Sequence, residues 1–327
     1  MGRKNDELAW YLNRPVILSD FFNGCLYSGK RVILPEELAE MQKNYHENMR
    51  ARNGKVRRTR RERDAAGLLC RKGHFAILAV ENQDRPNLCM PLRCLEYDVE
   101  DFVRQLRRLK RRYQQEGGLK QGMEYLSGIK EGDRLIPSVT LVFYHGEGEW
   151  TAPVALQEML DMGSMDETLK ALHMEYRIRV IRLSDLKEEW FETGLRELIG
   201  MMKRKNDKEA MLSWCRENET RFRNMDDETY DLICTMIHYK TLAFRKEKCR
   251  NQGKETVDMC KAIEDMIKDG KMEGEKIGEK IGEKRGEEKL GQLISHLLRD
   301  GRTADAGKAA ESVRVRRRLY KEYGIGI

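Results

Sequence analysis

Hydrophobic positions fall along this chain in two rhythms. At 75–80 the run Phe75, Ala76, Ile77, Leu78, Ala79 and Val80 is continuous and follows a turn at Arg71-Lys72-Gly73. It reads as a buried strand that closes a hairpin begun near Leu68 and Leu69. Positions 135–144, LIPSVTLVFY, are rich in β-formers and bounded by Gly132 and Gly146, and 178–183 forms another short strand in the same reading. Between them Leu95, Val99, Phe102, Val103, Leu106 and Leu109 recur mostly every three or four residues. That spacing predicts an amphipathic helix over 95–113 with Arg104, Arg107, Arg108, Lys110, Arg111 and Arg112 on its outer face. Helices are also expected at 19–26 and 35–49. The second opens at Pro35, with Glu36 and Glu37 in the first turn, where negative charge suits the helix dipole. Strands alternating with helices predict an α/β domain.

Beyond 187 the strand signals stop, and patterns such as Leu195, Leu198, Ile199 and Met202 predict a helical subdomain over 188–268. Then Gly274, Gly278, Gly282 and Gly286 punctuate a charged GEKI repeat. Glycine costs a helix about 1 kcal/mol per residue. Positions 269–327 are therefore expected to hold a weak helix or flexible linker, then a short helical segment at Leu290, Leu293, Ile294, Leu297 and Leu298. A basic patch follows at Arg314, Arg316, Arg317 and Arg318. The expected organisation is an α/β domain over 1–187, the helical subdomain, and this tail.

Charge sharpens the picture. The 327 residues carry a formal +7, a modest excess, yet eight of the fourteen positions 50–63 are Lys or Arg. A cluster of that density predicts contact with a polyanion. The eight cysteines include no CxxC pair, and no apolar signal segment or run of about 20 apolar residues is present. These features lead to an expectation of free thiols, a cytoplasmic location and no membrane partner.

Chemistry concentrates directly after the basic run, at Asp64 and at Glu81-Asn82-Gln83 on the end of the apolar strand. Residues two apart on a strand share a face, so Glu81 and Gln83 project together and Asn82 projects oppositely. If Asp64 starts the partner strand, its carboxylate meets theirs. Two converging carboxylates suit Mg²⁺ or Mn²⁺, which would polarise a phosphodiester oxygen and activate a bound water. Gln83 is placed to orient that water and hydrogen-bond the phosphate. The cations at Arg57, Arg58, Arg60, Arg61 and Arg63 would track the DNA backbone and carry no base specificity.

Five segments, RERD (61–64), AILAVENQ (76–83), MPLRCLEYD (90–98), LIPSVTLVFYHGEGEW (135–150) and LQEML (156–160), occur in an order that resembles the Rpn, or YhgA-like, family of recombination-promoting nucleases and transposases. The resemblance spans roughly 15–320. It implies a PD-(D/E)XK nuclease core, a mixed central sheet flanked by helices, followed here by a helical C-terminal region. It also implies Asp64 and Glu81 as metal carboxylates, Gln83 in the place usually held by lysine, and DNA cleavage linked to recombination or transposition. That core often takes a further acidic residue from its first helix, for which Asp20 is the candidate; a helix cap is the competing reading.

His145 beside Gly146 reads as a turn histidine bonded to backbone, and Arg93 and Tyr97 as either phosphate contacts or packing. Cys89 and Cys94 lack zinc spacing. The expected activity is thus a metal-dependent DNA endonuclease, with a homo-oligomer as a further partner reading. The alternative is a non-catalytic DNA-binding or assembly protein with a decayed nuclease core.

Overall fold

The computed structural model describes residues 3–41, 44–50, 56–163, 165–251, 253 and 255–326, with backbone alone for Arg3, 44–50 and 56–62. Contacts divide the chain into two compact units, Met1–Ala262 and Ile263–Ile327.

The first unit opens with helices α1 (Arg3–Leu12) and α2 (Pro15–Tyr27). Arg14 precedes Pro15 in extended conformation, which breaks the two helices apart, because a residue before proline is pushed out of the helical region. Strand β1 (Leu38–Glu40) follows, then β2 (Asn44–Arg50) and β3 (Val56–Glu62), which pair antiparallel as a separate two-stranded hairpin. Strands β4 (Ala65–Arg71) and β5 (His74–Gln83) form the hairpin expected around the 71–73 turn. Lys72 and Gly73 both take positive φ, 48° and 80°, as the mirror-image turns of tight hairpins require.

Helix α3 (Met90–Glu116) carries the chain to β6 (Ser138–Tyr144), with the one-turn helix α4 (Met123–Ser127) between them. The one-turn helix α5 (Glu167–Ala171) precedes β7 (Arg179–Arg182). The sheet order is β1-β4-β5-β6-β7, antiparallel from β1 to β5 and parallel from β5 to β7. The chain is therefore mixed α/β, with a five-stranded mixed sheet flanked by helices. On one face Met90 and Cys94 of α3 pack with Val142 and Ile178; on the other, Phe21 of α2 meets Phe143 edge-on at 5.2 Å.

Helices α6 (Leu195–Lys203), α7 (Lys208–Glu217), α8 (Glu219–Arg223), α9 (Asp227–Ile237) and α10 (Lys240–Arg245) belong to the same unit. The two-residue strands β8 (Met225–Asp226) and β9 (Thr256–Val257) pair among them. Their anchorage to the N-terminal helices is direct: Tyr11 and Thr229 share a 2.9 Å hydroxyl hydrogen bond, and the Phe191 ring, just before α6, packs against Gly24.

One sequence expectation is corrected, and of the weak helix or flexible linker expected over the glycine repeat the structure has the helix. The helix expected at 35–49 is one 3-10 turn at Pro35–Glu37 followed by strand, because Leu38 is drawn to the sheet edge opposite Leu69 while Arg71 binds the Glu37 carboxylate at 2.8 Å. The GEKI tract lies inside one continuous helix, α11 (Met259–Arg299). Its spacing puts Lys276, Lys280 and Lys284 each three residues before a glutamate, and such pairs offset part of the glycine cost. Helices α12 (Thr303–Glu311) and α13 (Val313–Glu322) complete the second unit. No helix among the described residues is long and apolar enough to cross a membrane.

The Gly24 packing makes a direct check on the α2 interface. A Cβ at Gly24 would enter the Phe191 ring, whereas one at Gly132 would meet nothing within 4 Å. Gly24→Ala should cost about 1–3 kcal/mol in urea unfolding, as overpacking does, and Gly132→Ala should leave the midpoint nearly unchanged.

Candidate active site

Ala65 pairs with Val80 across the hairpin, so Asp64 arrives opposite Glu81 at the carboxyl end of β5. The Asp64 Oδ2 accepts the Asn82 backbone N–H at 2.7 Å. Asn13, in the break between α1 and α2, holds the same corner: its amide donates to the Asp64 carbonyl at 3.1 Å and its Oδ1 accepts the Ala66 N–H at 3.1 Å. Both carboxylates are buried, Asp64 at 6% exposure and Glu81 at 0%. Glu81 Oε2 stands 2.9 Å from the Arg93 guanidinium of α3. Asp64 Oδ1 and Glu81 Oε1 have no hydrogen-bond partner among the described residues.

Electrostatics follow from that enclosure. Burial, and then the neighbouring Asp64 charge, push the Glu81 carboxyl up to about 8, against the pull of Arg93 and Arg63. Burial also raises Asp64; the Asn82 N–H and Arg93 oppose the rise, and Asp6 on α1 adds to it. Arg93 lies 5.8 Å from the Tyr97 ring centre, and Tyr97 is buried, so both residues belong to the wall of the site. Gln83 is half-buried and its amide donates to the Asn82 carbonyl at 2.7 Å.

Two further residues belong to this corner and were not legible in the sequence. Asp6 is an exposed carboxylate whose field reaches Asp64, and Asn13 is the clamp on the start of β4. The signal that could have found them is the Leu8, Tyr11, Leu12 spacing, which marks an amphipathic α1 ending just before Pro15.

Two expected site residues go elsewhere. Asp20 accepts from the Glu192 N–H, the Thr193 N–H at 2.9 Å and the Thr193 hydroxyl at 2.6 Å, which caps the turn leading into α6. Asp20 lies inside α2 and so does not cap the start of its own helix; the three donors of residues 192–193 satisfy it instead. Arg63, expected among the DNA-binding cations, is 2% exposed and bonds Asp98 at 2.8 Å, Asp101 at 3.0 Å and Thr140 at 2.8 Å. Its extended position as the residue before Asp64 turns it inward, where two carboxylates satisfy it. Arg57, Arg58, Arg60 and Arg61 lie on β3, and their side chains fall outside the described residues.

The opposite face of the strand end is also polar. Asn82 is fully buried with neither amide atom bonded among the described residues, and the nearby His145 Nε2 is likewise without a partner. The His145 backbone N–H donates to the Gln83 carbonyl at 2.9 Å, in keeping with a turn histidine, and burial lowers its imidazole to about 4. Among the described residues no group of three or more His, Cys, Asp or Glu side chains is gathered to hold a metal ion.

No protein-family model, curated protein or solved structure matches the chain.

The Glu81 environment has a pH signature. A carboxyl raised from its ordinary value to about 8 makes the folded state bind more protons than the unfolded state between about pH 4.5 and 8, so stability falls as pH rises through that window. Glu81→Gln removes the penalty. Its melting temperature should exceed that of the unmodified chain at pH 8 without divalent ions, and the gap should close toward pH 5.

Proposed function

We propose that this chain is a divalent-metal-dependent DNA endonuclease built on a PD-(D/E)XK core. The observation that carries the reading is the pair of buried carboxylates, Asp64 and Glu81, each with an oxygen unmatched by any described hydrogen-bond donor. A fold leaves an acid unsatisfied in a buried corner at substantial cost, so such a pair favours a site completed by a cation.

The donor set fits Mg²⁺ or Mn²⁺, hard ions that take carboxylate oxygens and keep several waters. Asp64 and Glu81 would hold the ion, with Asp6 a further carboxylate whose field reaches Asp64. A bound ion would supply Lewis-acid polarisation of the phosphodiester and a more acidic water. Arg93, freed from Glu81 when a cation takes that carboxylate, has the charge to hold a scissile phosphate. Gln83 takes the position that lysine holds in that superfamily, and its amide can exchange the Asn82 carbonyl for a water or phosphate oxygen. The basic β3 strand leads directly into Asp64, so strand and site can engage one DNA backbone. Recombination or transposition is the process in which the family resemblance places such cleavage.

One observation favours a second reading, a non-catalytic DNA-binding protein. Arg93 already neutralises Glu81 at 2.9 Å, as it would in a core that has lost its metal.

Nicking of supercoiled plasmid separates the two. Asp64→Asn and Glu81→Gln each remove a metal carboxylate at nearly constant size, and cleavage with Mg²⁺ or Mn²⁺ should fall on the order of 10²-fold or more. DNA affinity in EDTA should hold and, above about pH 8 where Glu81 is ionised, rise slightly in Glu81→Gln, because a charge that repels phosphate is gone. An unmodified chain that nicks no DNA form with either ion would leave the non-catalytic reading standing.

The β3 cations have their own readout. Replacing Arg57, Arg58, Arg60 and Arg61 with Ala should weaken binding alike for all sequences and flatten the salt dependence by about 0.9 log unit for each phosphate no longer neutralised.

A further inference from the structure

The second unit has its own small core. Leu293 and Leu297 of α11, Ala306 and Ala309 of α12, and Leu319 with Ile325 at the end of the chain close on one another. Only Ser312 separates α12 from α13, and its hydroxyl caps α13 by accepting the Val315 N–H at 3.5 Å. Arg316 reaches back to the last carbonyls of α12, bonding Ala309 at 2.9 Å and Ala310 at 2.8 Å. Arg302 ties the start of α12 to the end of α13 through Asp305 at 2.7 Å and Glu322 at 2.5 Å. These bonds set the two helices at a fixed angle.

What the unit turns outward is one-sided. From Leu290 to Ile327 eight Lys or Arg stand against four Asp or Glu, so this stretch carries +4 of the chain's +7. Arg302 and Arg316 are spent on the internal bonds above. Arg314, Arg317, Arg318 and Lys321 are exposed, and their side chains make no hydrogen bond or ion pair among the described residues. Their spacing of three, four and seven residues puts all four on one stripe of α13, opposite the face that buries Leu319. Four unpaired cations along about 10 Å of helix repel one another. An arrangement that a folded unit holds at such a cost points to an external polyanion.

We infer that α13 is a groove-binding helix and that Arg314, Arg317, Arg318 and Lys321 form a second contact surface for duplex DNA, separate from the β3 cations. The duplex is favoured over other polyanions by shape. A helix fits the major groove of B-form DNA, about 12 Å wide, with phosphates on both walls within reach of long cationic side chains. The deep, narrow major groove of A-form RNA excludes it. A membrane-surface helix needs an exposed apolar face, and here that face is buried against α11 and α12. The neighbouring α12 exposes Ala304, Gly307 and Lys308, small residues and one cation, which let a phosphate backbone pass close. A short helix crossing the backbone before a second helix in the groove is how helix-turn-helix units dock. Such a surface would serve a core without catalytic power equally well, so it stands apart from the nuclease reading.

The test uses the full chain in EDTA, so cleavage plays no part. Binding to a labelled DNA duplex of about two helical turns is followed by fluorescence anisotropy across a salt series. In R314Q/R317Q/R318Q/K321Q the affinity at physiological salt should drop at least about tenfold, and the slope of log affinity on log salt should flatten by about 3.6 units, near 0.9 for each of the four phosphates that the removed cations had neutralised. Far-UV circular dichroism should be unchanged. The control K268Q/K271Q, which neutralises two exposed lysines of α11 ahead of the glycine repeat, should bind as the unmodified chain does. The single reversal Arg317→Glu should weaken binding in the same direction, which guards against a fold defect peculiar to the quadruple variant. Wild-type affinity and slope in the quadruple variant would overturn the inference. So would tighter binding of the unmodified chain to A-form RNA duplex, or to phosphatidylserine vesicles, lost with the same four substitutions. Failure of plasmid nicking would leave these outcomes untouched, and their failure would leave nicking untouched.

Discussion

The buried Arg63 guanidinium is the interaction on which the candidate site depends. It sits at the joint where the β2–β3 hairpin hands over to β4, and it reaches Asp98 and Asp101 on α3 and Thr140 on β6. Asp98 is held in turn by the Tyr176 hydroxyl at 2.7 Å. One cation thus ties the start of β4 to the crossover helix and to the next parallel strand. Removing one partner from such a buried group costs about 3–5 kcal/mol, because the remaining charges are left uncompensated. The residue after it, Asp64, inherits its position from that bond and from the Asn13 clamp on the other side.

From that constraint the polarity of the site follows. The hairpin register brings a second acid, Glu81, to face Asp64 in a buried corner, where burial raises the proton affinity of both and the Asp64 charge raises that of Glu81 further. Arg93 offsets part of this charge from α3, but only at one oxygen of Glu81. Contrast Arg63, whose two carboxylates and hydroxyls answer it on several sides. Two ionic clusters held by the first turns of α3 therefore differ in kind: one is closed by its own bonds, and the other retains acceptor oxygens for which the described residues supply no donor.

The two units handle charge differently as well. In the first, most cations near the core are bound by carboxylates, as with Arg71 on Glu37 and Arg250 on Asp227. In the second, Arg302 and Arg316 are used to set helix geometry, and the rest of the basic stripe of α13 is left to solvent. On α13 the cation that builds structure, Arg316, and the cations left available are thus separated by helix face within ten residues.

Strand β5, its hairpin with β4, α3 and β6 were all legible in the sequence, because each announces itself by local periodicity or by a turn that few residues can make. The pairing of Asp64 with Glu81 followed from the same register. Other features depended on partners distant in the chain. Asp20 is structural because residues 192–193 bring it three donors, and Arg63 is structural because Asp98 and Asp101 lie under it. The segment after Pro35 is strand because β4 offers an open edge, a fact absent from its own composition. The glycine repeat is helix despite its propensity, since charge spacing and a helix begun at Met259 carry it through. Local pattern determined the elements that a tight turn or a clear periodicity announces and the facing of Asp64 and Glu81; only tertiary structure decided the strand after Pro35 and which charges are buried and answered, because burial and pairing are properties of partners that sequence separation hides.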